Sequence, residues 1–218
     1  MDTQKTLFEN RQFLLIFIGG FLALIGFSTF FTTTTWFAIT ELGSASSLGI
    51  VLVSITVPRI LMMAFGGIIA DKFKKTSIMF TTSFIQGCIL VLIFVLSYTS
   101  SLSISHLVVL GMIFGTLDAF SGPAGASLIP KIVNKNQIQQ ANAIIQGMGQ
   151  IGFVVGPIIS GSVMEYFGVS AGYLVAATIV LLSALLMFPP FFKEGAVVNK
   201  VKQSPLKVNC PLSSRQWK

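Results

Sequence analysis

The chain has 218 residues, 53% of them hydrophobic and 10% charged, with a net charge of +7 and a mean hydropathy of +0.84. A soluble domain carries about 25% charged residues, so that class is excluded. Lysines scattered between apolar stretches and in a tail also argue against a nucleic-acid surface. An integral membrane protein is left, and because lipid satisfies no backbone polar group its spans must be helices or a closed barrel. Long continuous apolar stretches, without the short alternation of barrel strands, select helices.

Residues 1–11 form a short polar N-terminus containing Lys5 and Arg11. Residues 12–192 read as a six-helix transmembrane bundle, each stretch exceeding the roughly twenty residues needed to cross hydrocarbon. The first helix is expected from Gln12 to Ile39, broken by glycines. This stretch is too long for a cleavable signal peptide, and no small-residue cleavage site follows it. Thr32 to Thr35 fill its outer part, either bonding back to the preceding turn or lining a cavity. Trp36 fits the aromatic belt of a membrane interface.

The second helix is expected from Leu48 to Ala70 and ends in GGIIADKFKKTS, residues 66–77. The third runs from Ser77 to Tyr98 and the fourth from Ser105 to Ile129. Arg59 in the second and Asp118 in the fourth are the two charges deep in spans. Each lies about a dozen residues from one helix end, roughly 18 Å at 1.5 Å per residue, near the bilayer middle. Intramembrane charges are costly and face a cavity or a partner. These two have opposite sign and similar depth, so they pair or share a wet cavity. Otherwise Arg59, beside Pro58, packs against backbone carbonyls. Asp118 serves either proton and substrate handling or structural pairing. His106, near the outer end of the fourth helix, reads as a wetted polar residue.

The fifth helix, from Gln140 to Met164, reads QGMGQIGFVVGPIISGSV over residues 146–163. Gly149, Gly152, Gly156 and Ser160 share one face, which permits close backbone approach in lipid. Pro157 removes a backbone donor and tends to kink the helix. Such a face suits a helix that rocks, or one that is statically packed. The sixth helix is expected from Ala171 to Phe192. Residues 193–218 form a polar, basic tail, read as disordered or as a truncation product.

Thirteen of the fourteen basic residues fall on one side of this arrangement: the N-terminus, the even-numbered connections and the tail. By the positive-inside rule that side is cytoplasmic, which places both termini inside. Cys88 and Cys210 are too far apart in the scheme to pair. One histidine and two distant cysteines form no metal cluster, and no nucleotide loop or activated nucleophile occurs. Neither a metal nor a cofactor nor an enzymatic activity is expected.

GGIIADKFKKTS resembles the loop signature between the second and third helices of the major facilitator superfamily. Gly67, Asp71, Lys72 and Lys75 match it, whereas Lys74 stands where the signature has glycine. GxxxGPxxSG, carrying Gly152, Gly156, Pro157, Ser160 and Gly161, resembles the fifth-helix antiporter motif of that family's drug exporters. Residues 120–143, FSGPAGASLIPKIVNKNQIQQANA, resemble the macrolide-efflux and siderophore-export branch. Gly67-x-x-x-Asp71 recurs as Gly161-x-x-x-Glu165, as two three-helix repeats of opposite topology would produce.

The resemblance implies an all-α fold: six transmembrane helices as two inverted three-helix repeats, half of a major facilitator fold. It implies the amino-terminal half of a proton-coupled exporter of amphipathic small molecules, incompetent to transport alone. An importer of a small metabolite or sugar, and a non-transporting membrane partner or remnant, are the alternatives. The implied partners are membrane lipid, a small-molecule substrate, protons, and a missing second half or second copy. Arg59 and Asp118 are the cavity candidates. Gly67, Asp71, Lys72 and Lys75 form a conformational-switch loop, in which Asp71 latches onto a helix of the other half.

Overall fold

The computed structural model describes residue 7 and residues 11–41, 45–72 and 74–189; of residues 45, 66–72 and 135 it describes the backbone course alone. Among the described residues the chain forms α1 Arg11–Thr40, α2 Ala45–Lys72, α3 Lys75–Tyr98, α4 Ile104–Ile132, a 3-10 turn Lys135–Gln137, α5 Ile138–Phe167 and α6 Val169–Leu186. All six α-helices contain stretches long and apolar enough to cross a membrane. They are apolar around most of their circumference, as helices immersed in lipid and packed on one another must be.

Local chemistry sets the ends. His106 Nδ1 accepts the backbone N–H of Ser103 at 3.4 Å and meets its hydroxyl at 2.8 Å, tying down the first turn of α4. Histidine thus acts here as a helix cap. Gly168, at φ +81°, turns α5 directly into α6 in a conformation that other residues seldom adopt. α6 ends at Leu186 rather than at the expected Phe192. Pro189 cannot donate to the helix ladder and disfavours helical backbone at Phe188, so the apolar run outlasts the helix.

α1 is also continuous rather than broken by its glycines. Those glycines serve packing. A Cβ at Gly26 would strike Val180 of α6, and one at Gly19 would crowd Met187. Ser183 Oγ donates to the Gly19 carbonyl at 2.7 Å across the same seam.

The helices pack in a pattern that maps onto itself when α1–α3 are exchanged for α4–α6. α5 lies on α1 as α2 lies on α4, α6 lies on α1 as α3 lies on α4, and α3 meets α6 at the centre. The spacing in sequence agrees. α4 begins 93 residues after α1 (Ile104 against Arg11), α5 begins 93 after α2 (Ile138 against Ala45), and α6 begins 94 after α3 (Val169 against Lys75). The middle helix of each triplet therefore packs on the first helix of the other.

The main core joins α1, α3, α4 and α6 around Phe30, Phe114, Leu90 and Tyr173, with the Phe30 and Phe114 rings 4.5 Å apart, and α2 adds Val51 and Ile55 to it. The remaining faces of α2 and α5 point outward. They expose Ile60, Leu61 and Phe65 on one, and Val154 and Ile158 on the other.

Candidate functional site

α2 and α4 carry Arg59 and Asp118 to the same depth, about 20 Å from the ends that bear Lys72 and Lys131. The two side chains form an ion pair, Arg59 Nε to Asp118 Oδ2, at 2.9 Å. The guanidinium also lies over the Phe27 ring of α1, 5.0 Å from its centroid, a contact that favours a cation on an aromatic face. Gln86 of α3, which lines the same space as the pair, donates to the Phe114 carbonyl at 3.3 Å. One helix turn along α4 from Asp118, Ser121 meets Thr82 at 2.8 Å. Every partner of the pair comes from a different helix, so a shift of α2 against α4 would alter it.

The pair faces a cavity of about 550 Å³. Phe27, Phe114 and Phe153 line it at the level of the pair. From there its lining descends toward the end where α1 and α5 begin: Phe21 and Phe17 on α1, Met79 on α3, Gly125 and Ile129 on α4. One wall is thus aromatic and aliphatic. α5 adds the amides Asn142, Gln146 and Gln150 to the lining. Mostly apolar space with a few convergent polar groups is the usual character of a small-molecule site.

The small-residue face of α5 lies against α1. Gly152 meets Phe21 and Leu24, and Gly156 meets Ser28 and the Thr29 backbone. Thr33 and Ser160 hydroxyls bond at 2.8 Å. Gly161 has open space where a Cβ would stand, and Pro157 is exposed. Thr32, Thr33 and Thr35 bond back to the carbonyls four residues earlier, so these threonines are accommodated in the helix. Lys75 is buried at the start of α3. The side chains of Gly67, Asp71 and Lys72 lie outside the described residues.

Several residues of this site go unremarked in the sequence reading. Gln86 is an isolated amide. Asn142, Gln146 and Gln150 recur every four residues in an apolar span, a legible signal. Gly111 and Gly115 of α4 meet Ile55 of α2, and a Cβ at Gly115 would collide with the Ile55 carbonyl.

Six membrane-length helices, arranged as two exchanged triplets around a cavity with an intramembrane ion pair, define a multi-pass membrane protein with the architecture of a transporter. Residues 16–214 match the Major Facilitator Superfamily, and the chain belongs to that family of secondary transporters. It is 27% identical over 203 residues to the staphyloferrin A transporter of Staphylococcus aureus, a match covering 92% of this chain and 49% of that protein. It is 25% identical over 194 residues to the MFS-type transporter YvqJ of Bacillus subtilis, covering 88% and 45% respectively. A third relative, the MFS-type transporter MJ1560 of Methanocaldococcus jannaschii, is 20% identical over 194 residues, covering 89% and 48%. The chain spans about half the length of the curated relatives it matches. These relatives are named as transporters rather than enzymes.

Proposed function

We propose that this chain forms the amino-terminal six-helix half of a proton-coupled exporter of amphipathic small molecules, of the drug, macrolide and siderophore-exporting kind. The observation that carries the reading is the Arg59–Asp118 pair on the wall of a mid-depth cavity. A proton on Asp118 cancels its charge and weakens its hold on Arg59, and loss of that proton restores the pair. Because the partners stand on α2 and α4, the protonation state biases how those helices sit.

Export rather than import rests on the resemblance of the α5 motif, Gly152 to Gly161, to that of exporters. Similarity to a transporter named for staphyloferrin A agrees with a sizeable amphipathic cargo. A second half, or a second copy, completes the cavity on the side of α2 and α5, whose outward faces are apolar. Alone, the chain supplies half a cavity wall, and alternating access requires two bodies that rock against each other. The loop carrying Gly67, Asp71, Lys72 and Lys75 switches conformation at that junction. The protein resides in the cell membrane with both termini in the cytoplasm, following the lysine distribution.

The test uses everted membrane vesicles from cells expressing the gene at its own locus, with its flanking sequence. An imposed pH gradient should drive accumulation of an amphipathic substrate, and Asp118→Asn should abolish the drive. Accumulation in right-side-out vesicles instead would establish an importer. Gradient-driven transport by the purified 218-residue chain in proteoliposomes would replace the half-transporter reading with a dimer of this chain.

A further inference from the structure

We infer that the cavity selects amphipathic acids, with Arg59 anchoring the acid group and Asn142, Gln146 and Gln150 of α5 as specificity-determining residues. This rests on the transporter reading above and names its substrate class.

Three observations converge. First, the two members of the ion pair are unequally presented: the Arg59 side chain is 43% exposed and that of Asp118 is 22% exposed. The Asp118 carboxylate is engaged by Arg59. An incoming cation would have to displace Arg59 to reach the carboxylate. An incoming carboxylate meets the guanidinium directly. That group has five N–H donors in a planar fork, so binding Asp118 through Nε leaves donors for a second acid. Its seat on the Phe27 ring holds the fork in place.

Second, Asn142, Gln146 and Gln150 are exposed, line the cavity and recur at intervals of four, which forms one stripe along α5. Gln150 lies about 18 Å from the start of α5, level with the pair, and the other two step down by about 6 Å each. Amides both donate and accept. The stripe offers hydrogen bonds from the basic end of the bundle up to Arg59, without adding charge.

Third, the apolar part of the lining is deformable. Four of the eight methionines, Met63, Met79, Met148 and Met187, line this cavity. Methionine adapts to differing shapes and recurs at permissive binding surfaces. Selection therefore falls on the polar head of the ligand and leaves its apolar body free to vary.

The experiment measures equilibrium binding to the full chain in nanodiscs, using three probes with one apolar body: 2-naphthylacetate, 2-naphthylethanol and 2-naphthylethylammonium. The acetate should bind about tenfold more tightly than either of the others, as one charge-assisted hydrogen-bonded contact gives. Arg59→Gln should remove that preference and Arg59→Lys should keep most of it. Gln146→Leu and Gln150→Leu, at exposed positions that leave folding intact, should each weaken acetate binding several-fold while barely moving the ethanol. Equal or tighter binding of the ammonium, an unchanged preference in Arg59→Gln, or binding of none of the three overturns the inference. The exporter reading fails separately: acid-selective binding without gradient-driven transport in everted vesicles would refute it and leave the acid site standing.

Discussion

Ser28 Oγ of α1 donates to the carbonyl oxygen of Phe153 on α5 at 3.0 Å. In an unbroken helix that carbonyl would accept the N–H of the residue four positions later, but residue 157 is proline and has none. The hydroxyl of one helix therefore replaces the donor that the other lacks. Ser28→Ala should lower stability by about 1 kcal/mol, since the Phe153 carbonyl, within an apolar span, loses its donor. Pro157→Ala in the same chain should recover much of that loss by returning an N–H to the ladder. Thermal unfolding of both single variants and the double variant in nanodiscs reads the coupling; strict additivity would show that Ser28 acts otherwise.

The closest approaches of a glycine to a neighbouring helix's backbone lie at two seams, Gly115 of α4 on Ile55 of α2 and Gly156 of α5 on Thr29 of α1. A Cβ at Gly115 would collide with the backbone carbonyl of Ile55, which no rotamer change can relieve. A Cβ at Gly122 or Gly161 would meet open space. Gly115→Ala should cost about 1–3 kcal/mol through overpacking. Gly161→Ala should be neutral or slightly stabilising, because alanine is the better helix former. Melting temperatures of the two variants, measured side by side, decide this.

Element type and span count were legible because twenty-residue apolar runs in lipid have one outcome, and the charges between them punctuate it. The repeat was legible in Gly67 and Gly161, 94 residues apart, close to the 93 and 94 that separate equivalent helix starts. What sequence periodicity could not supply was partner identity. An apolar helix shows no preferred face, so nothing marks Gly115 as meeting Ile55 or Gly26 as meeting Val180. The pairing of Arg59 with Asp118 could be framed from sign and depth, but Gln86 and Phe27 enter only when α3 and α1 are placed. The helix end at Leu186 was masked by apolar residues that continue past Pro189.

The ion pair itself should behave as a unit. Its members are partly exposed, so it falls between a surface pair, worth about 0–1 kcal/mol, and a buried one, whose breakage costs about 3–5 kcal/mol. Arg59→Gln and Asp118→Asn should each destabilise by about 1–3 kcal/mol, and the double variant should lose clearly less than the two together. The uncompensated charge, rather than the missing attraction, is what each single change leaves behind. Additive losses in a double-mutant cycle would mean that the two side chains do not share one energy well.

Orientation follows from where the bases lie, and it is open to direct measurement. Connections on opposite faces of the bundle contain Ser100, between α3 and α4, and Asn134, between α4 and α5. Basic residues flank the second and are missing from the first: Lys131 and Lys135 bracket Asn134, while residues 99–103 hold none. Retention of such bases in the cytoplasm sets topology. In a background with Cys88 and Cys210 replaced by serine, Ser100→Cys should react in intact cells with a membrane-impermeant maleimide. Asn134→Cys should react with the same reagent only after permeabilisation. Labelling in the reverse order would invert the protein in the membrane and place the cavity's lysine-flanked end outside. The imposed pH gradient would then have to be reversed to drive the same movement of substrate across the same helices.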